Sequence, residues 1–185
     1  MITNQKLFLT INSYANIDTT IDFFMVSIAE YMPYVFIGLL FYLWFTNKQN
    51  EALYAGYATT LGIVINAIIG LFYFHPRPFM DSLGVTLVSH KAENSFPSDH
   101  TTFVVSIAFM LLTFKSTRTI GIIASILALW CGVARVYCGV HYPFDIVGSI
   151  IVSTVATITI KLLAYKLKEL NISIISLWSR ILNIF

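Results

Sequence analysis

Three short clusters in this chain set arginine, histidine and aspartate within otherwise apolar sequence. They are His75-Pro76-Arg77-Pro78-Phe79, Phe96-Pro97-Ser98-Asp99-His100, and the stretch from Arg135 to Asp145 that contains His141. Arg77 and Arg135 carry planar, permanently charged forks whose donors match phosphate oxygens. An aspartate four residues after a histidine, just inside a helix starting near Pro143, can reach the ring Nδ1–H and leave Nε2 bare to attack. The same pair can ligate a metal, although two neighbouring arginines oppose a bound cation. Ionisable groups at membrane depth are costly, which makes them candidates for function by default.

The depth is set by composition. Of the 185 residues, 57% are hydrophobic and 11% charged, with a mean hydropathy of +0.78, far from the make-up of a soluble domain. A helix needs about 20 apolar residues to cross a hydrocarbon core of roughly 30 Å, so the length admits five or six spans. The expected fold is all-α: a polytopic transmembrane helical bundle forming a single membrane-embedded domain over residues 1–185. Net charge is only +2 with no basic block, which speaks against nucleic acid and leaves lipid as the expected partner. Cys131 and Cys138 read as small buried residues rather than a disulfide framework or metal knuckle.

Residues 5–16 fit a short interfacial helix. The N-terminus carries no removable signal peptide by pattern, so the first span is expected to direct insertion. Asp18 is placed to cap a first span running to Phe45 with a kink at Pro33. Ala52 to Phe74 reads as span two, with Gly56, Gly62 and Gly70 permitting close helix contacts. Residues 75–99 form the longest loop. Spans follow from Asp99 to Phe114, Thr119 to Val136, and Phe144 to Ala164. Residues 165–185 read as a basic amphipathic tail on the membrane surface, or alternatively as a sixth span. Trp44, Tyr73, Tyr142 and Trp178 lie near span ends, as interfacial anchors do.

With five spans, all three clusters fall at one membrane face. Seven basic residues, Lys48, Lys115, Arg118, Lys161, Lys166, Lys168 and Arg180, fall at the other, against Lys6, Arg77, Lys91 and Arg135. The positive-inside tendency makes the seven-residue side cytoplasmic and turns the long loop outward, to the extracytoplasmic side.

The clusters resemble the signature of the type 2 phosphatidic acid phosphatase superfamily: Lys-x6-Arg-Pro, Pro-Ser-Gly-His and Ser-Arg-x5-His-x3-Asp. The likeness extends from about Phe8 to Ala164. TLGIVINAIIGLFYFHPRPF, SFPSDHTT and GVHYPFDIVGS look most like undecaprenyl-diphosphatases of the BcrC type. The sequence departs from the pattern in three places. Gly70 stands where the superfamily has lysine, leaving one phosphate contact missing or supplied by another base such as Lys91. Ala134 replaces the serine before Arg135. Asp99 replaces the glycine of Pro-Ser-Gly-His, and its carboxylate would repel phosphate unless it turns away to cap the third span.

The resemblance implies a metal-independent lipid phosphatase without a cofactor, acting on a polyprenyl diphosphate. In this reading His141 is the nucleophile and forms a phosphohistidine, Asp145 orients it, and His100 protonates the departing oxygen and then activates water. Arg77 and Arg135, with Ser98, Asp99 and Lys91 beside them, form the phosphate side of the site. His75 and His90 are expected to be interfacial hydrogen-bonders outside it. Lys91 and Glu93 read by default as solvated loop charges, and Glu30 as a structural polar group in the first span. The rival readings are a broader lipid phosphatase acting on phosphatidate or phosphatidylglycerol phosphate, and a non-catalytic lipid-binding or transport protein.

Overall fold

The computed structural model describes residues 3–182, and within them every regular element is helical. Residues 1–2, and residues 183–185 of the expected tail, lie outside the described residues. The helices are α1 (Thr3–Asn12), α2 (Thr19–Phe45), α3 (Gln49–Phe72), α4 (Asp99–Leu112), α5 (Arg118–Tyr137) and α6 (Pro143–Leu182). Four of them, α2, α3, α5 and α6, are long and apolar enough to cross a membrane. The chain is thus a multi-pass membrane protein.

The fifth crossing helix, α4, is shorter. Its 14 residues rise about 21 Å, less than the hydrocarbon thickness. That is tolerated because α2, α3, α5 and α6 all pack against it, so protein and not lipid surrounds its backbone. Apolar side chains around its circumference, including Val104, Val105, Ile107, Ala108, Met110 and Leu111, have no exposed surface. This is the pattern of a helix enclosed on all sides.

Small residues allow the close approach. A Cβ at Gly62 of α3 would lie 2.9 Å from Thr102 Cγ2 and 3.0 Å from Ser106 Oγ on α4, so only glycine admits this crossing. The expectation for the other two glycines is corrected: Gly56 faces open space, and Gly70 meets Asn94 of the loop and not a helix. Cys131 and Cys138 are buried free thiols, as their apolar setting implies.

Local capping follows the sequence at α2, where the Asp18 carboxylate accepts from Thr20 N and Ile21 N. The helix then continues through Pro33. At the other end of the chain no break separates residues 165–182 from the last span. Helix α6 runs unbroken for 40 residues, about 60 Å, twice a bilayer core. Its far half packs on the bundle: Asn171 bonds Tyr57 and Asn50, and Trp178 lies edge-on to Trp44 with ring centroids 5.8 Å apart.

Helix α1 is likewise part of the bundle. Asn4 Oδ1 accepts from Phe144 N and so satisfies a free donor at the start of α6. The Asn12 side chain clasps Val85 through both its backbone groups and also donates to Tyr137 O. Gly139, at φ +80°, brings its Cα against Val85, where a Cβ would be 2.2 Å from the carbonyl oxygen. The long loop is therefore docked along its length on α1 and the end of α5.

Candidate functional site

Chain direction alone brings the end of α3, the start of α4, the end of α5 and the start of α6 to one end of the bundle, and the loop of residues 73–98 closes over them. Its base is laced. Asn94 Oδ1 accepts from His75 N, Asn94 Nδ2 donates to Tyr73 O and Phe96 O, and Ser95 N donates to His75 O. These bonds put His75, Arg77 and Ser95 against the α5–α6 connection.

His141 lies in that connection and is 2% exposed. Its Nδ1 faces Asp145 Oδ2 at 3.4 Å and the Ser95 hydroxyl at 3.3 Å. The Ser95 hydroxyl itself donates a short hydrogen bond to that same carboxylate oxygen, which also accepts from Tyr142 N. At the other edge of the ring, Arg77 Nη1 lies 3.1 Å from Nε2. Since a guanidinium only donates, Nε2 must present its lone pair, and the proton belongs on Nδ1 toward Asp145. Burial, with Arg135 and Arg77 nearby, holds the His141 imidazole well below its ordinary pKa against the opposing pull of Asp145. The ring is therefore neutral at physiological pH.

The two arginines are held differently. Arg77 Nη1 also donates to Val140 O, and its Nη2 donates to Asn94 O and to the Glu93 carboxylate at 3.3 Å. Arg135, 2% exposed, makes one long bond, 3.5 Å, to Ala29 O. Arg135 Nε and Nη2 and Arg77 Nε are buried with no hydrogen-bond partner. Buried unpaired cationic donors are expensive, and an oxyanion between the two forks would satisfy them. His100, the second residue of α4, is partly buried within electrostatic reach of Arg135, Arg77 and His90.

The remaining sequence-derived positions are distributed unevenly. Ser98 and not Asp99 is the N-cap of α4: its hydroxyl oxygen accepts from Thr101 N and Thr101 Oγ1. Asp99 is already the first helical residue, one position too late to cap. Its carboxylate accepts from Asn66 of α3 instead. Lys91 is exposed, and no ion pair of its ammonium occurs among the described residues. Where the expected lysine is replaced by Gly70, a cleft of about 240 Å³ opens, lined by Asn66, Gly70, Arg77, Glu93, Asn94 and Asp99.

His75 and His90 are not the peripheral residues their positions imply. His75 Nδ1 is 3.2 Å from Asp145 Oδ1. His90 lies with its ring centroid 6.5 Å from that of His141, and 3.5 Å from Glu93. Tyr142 is no membrane anchor: it is 1% exposed, packs edge-on against Phe8 and donates to Asp81. Ser95, Asn94 and Asn66 went unnoticed in the sequence. An asparagine inside an apolar span was the one available signal, since uncompensated amides are rare there.

Among the described residues, no three His, Cys, Asp or Glu side chains are grouped to hold a metal ion. A helical membrane bundle that buries two arginines and an imidazole, one arginine in contact with the bare ring nitrogen, defines an integral-membrane protein with a polar, cationic centre at one end. The chain belongs to the PAP2 superfamily, which it matches over residues 51–169. It is 37% identical over 155 residues to the undecaprenyl-diphosphatase BcrC of Bacillus subtilis (strain 168), covering 82% of this chain and 79% of that one. To the bacitracin transport permease protein BcrC of Bacillus licheniformis it is 31% identical, covering 83% and 76%. The crystal structure of Aquifex aeolicus LpxE superimposes with a TM-score of 0.75 at 27% identity, covering 86% of this chain and 95% of that one.

Proposed function

We propose that this protein hydrolyses undecaprenyl diphosphate to the monophosphate and inorganic phosphate, without a metal ion, at a site facing the extracytoplasmic side of the membrane, and so returns a lipid carrier to cell-wall synthesis. The observation that carries the reading is the contact of Arg77 with His141 Nε2, together with the buried guanidinium nitrogens of Arg77 and Arg135 that have no partner. The likeness to an undecaprenyl-diphosphatase supports the substrate.

In the proposed reaction the terminal phosphoryl group sits between the two forks and displaces Arg77 Nη1 from Nε2. The Nε2 lone pair forms a bond to phosphorus as the bridging P–O bond breaks, and its electron pair leaves with undecaprenyl phosphate. His100 supplies a proton to that oxygen. Water, giving its proton to His100, then attacks the phosphohistidine; the P–N bond breaks and phosphate leaves. Asp145 holds Nδ1–H throughout and balances the positive charge that the phosphorylated ring carries. The arginines neutralise charge on the equatorial oxygens, where catalysis of phosphoryl transfer is chiefly won. Before substrate arrives, the Glu93 carboxylate occupies part of the Arg77 fork.

Purified protein in detergent with excess chelator is expected to release phosphate from a C55 diphosphate. It should prefer that lipid over phosphatidate and phosphatidylglycerol phosphate in competition. Strict dependence on added metal would overturn the mechanism, and preference for a phospholipid phosphate would overturn the substrate. The stretch from Asp81 to Ser89, exposed at Asp81, Ser82, Thr86 and Ser89, reports sidedness. A cysteine placed there should react with an impermeant reagent in intact cells, and protection would invert the orientation.

A further inference from the structure

We infer that His75 is a positioning residue for this reaction: it fixes the second oxygen of Asp145, and through that carboxylate the tautomer and tilt of His141. The inference rests on the phosphatase reading above and adds to it a residue to which no role has been given.

The Asp145 carboxylate is fully buried, and its two oxygens are held unequally. Oδ2 takes the Ser95 hydroxyl and the Tyr142 backbone N–H, and faces His141 Nδ1. Oδ1 has no hydrogen-bond partner, and neither has the buried His75 Nδ1, yet the two atoms face each other at 3.2 Å. An orphan acceptor and an orphan donor at that distance form a pair that needs only a small ring rotation to become a full hydrogen bond. Without His75, Oδ1 would be a buried carboxylate oxygen with nothing opposite it, and the carboxylate would be free to rotate away from His141.

The imidazole is itself well held. Its ring lies nearly parallel to that of Tyr73, at 11° and 6.2 Å between centroids, and 5.1 Å from the Tyr142 ring. Its backbone is bonded on both sides, to Asn94 and to Ser95. Two residues later the same segment supplies Arg77, so one short stretch, Pro-flanked, sets both the phosphate fork and the carboxylate behind the nucleophile.

The groups that bear on His75 are Asp145 from α6, Asp81 and Ser95 from the long loop, and the tyrosines of positions 73 and 142. The hydrogen-bonding contact with Asp145, with the charges of Asp145 and Asp81, raises the His75 pKa against the opposing effect of burial. A raised imidazole pKa means that the protonated form is favoured in the fold. Its contribution is complete below the ordinary value of about 6.5 and is lost as pH rises through the higher folded value.

His75→Phe keeps the ring between the tyrosines and removes the donor. It is expected to lower kcat by about 10- to 100-fold with KM within about two-fold. His75→Asn, whose amide N–H stands near the Nδ1 position, is expected to recover most of that loss and to lack the decline in kcat expected of wild type as pH rises through the raised His75 value. Nitrogen-15 spectra of the His141 ring should report the Nδ1–H tautomer in wild type and a mixture in His75→Phe. Unchanged kcat in His75→Phe, equal losses in both variants, or an unchanged His141 tautomer would each overturn the inference. Should His75→Phe not fold, the pH profile of His75→Asn decides, and a wild-type decline at high pH there overturns it. Absence of phosphate release by wild type would sink the phosphatase reading instead, and the tautomer comparison would still test His75, because it needs no turnover.

Discussion

Replacing His141 with alanine is expected to abolish turnover, by about 10⁴-fold or more, while leaving the bundle folded. The size of the effect follows from its place in the reaction: without Nε2 there is no covalent intermediate, and only positioning and the arginine forks remain to accelerate direct attack by water. The bundle should survive, because His141 lies in the α5–α6 connection and contributes no apolar surface to the large core formed by α2, α3, α4, α5 and α6. The measurement is phosphate release under single-turnover conditions, with alkali-quenched protein assayed for a base-stable, acid-labile phosphoryl group. Wild type should accumulate that group and His141→Ala should not. Retained activity in the variant would place the nucleophile elsewhere, and His100 would be the first alternative to test.

The second large effect joins activity and stability with opposite signs. Arg135→Met is expected to reduce kcat/KM by about 10²- to 10³-fold, the loss typical of removing one preorganised donor group aimed at developing charge. The same substitution should stabilise the folded protein. Arg135 is buried at the end of α5, with two guanidinium nitrogens unpartnered and its one bond at 3.5 Å, and exchanging a buried charge for a well-packed apolar side chain commonly gains about 1–4 kcal/mol. For a chain of this size each kcal/mol raises the thermal midpoint by roughly 2–4 °C. A thermal scan in detergent, with and without orthovanadate as a phosphate analogue, separates the two effects. Wild type should gain from the anion and the variant should gain little. A variant that melts lower than wild type without ligand would show that Arg135 is structural and not a strained binding group.

The same strain explains why the site is complete before substrate arrives. Two cationic forks share one end of the bundle, and among the described residues the Glu93 carboxylate is the one anion paired with either. In the proposed reaction their mutual repulsion is relieved when a dianionic phosphoryl group binds between them. The protein thus gives up some stability at this end, and the enclosed α4 and its apolar neighbours offset that elsewhere.

The features legible in the sequence were those that depend on spacing along one element. Hydropathy and turn residues placed α2 through α5 and the start of α6 to within a few residues, since a helix that faces lipid must be apolar over a fixed length. Asp18 was recognisable as a cap because capping is a local bond. The spacing of His141 and Asp145 across the start of α6 was legible for the same reason, and the motif carried Arg77, His100 and Arg135 with it.

Positions whose environment is made by a different segment were not legible. Nothing local distinguishes His75 from a histidine at a span end, because its partner, Asp145, is 70 positions away and approaches only when the loop folds onto α6. Ser95 and Asn94 gain their roles from the same closure. Lys91, judged by charge alone, looked like a substitute for the missing lysine at Gly70, yet it points to solvent, and the position opens into a cleft. The Asp99 cap failed by a single residue of register, and residues 165–182 continue the last helix because nothing in them stops a helix that already has neighbours in α2 and α3. The sequence by itself determined the membrane bundle and the residues to which the proposed chemistry is assigned, because length, apolarity and helical spacing are properties of a segment. Only the tertiary structure decided which groups orient the nucleophile, because a buried carboxylate has two oxygens, and the chain crossing over it chooses what each one meets.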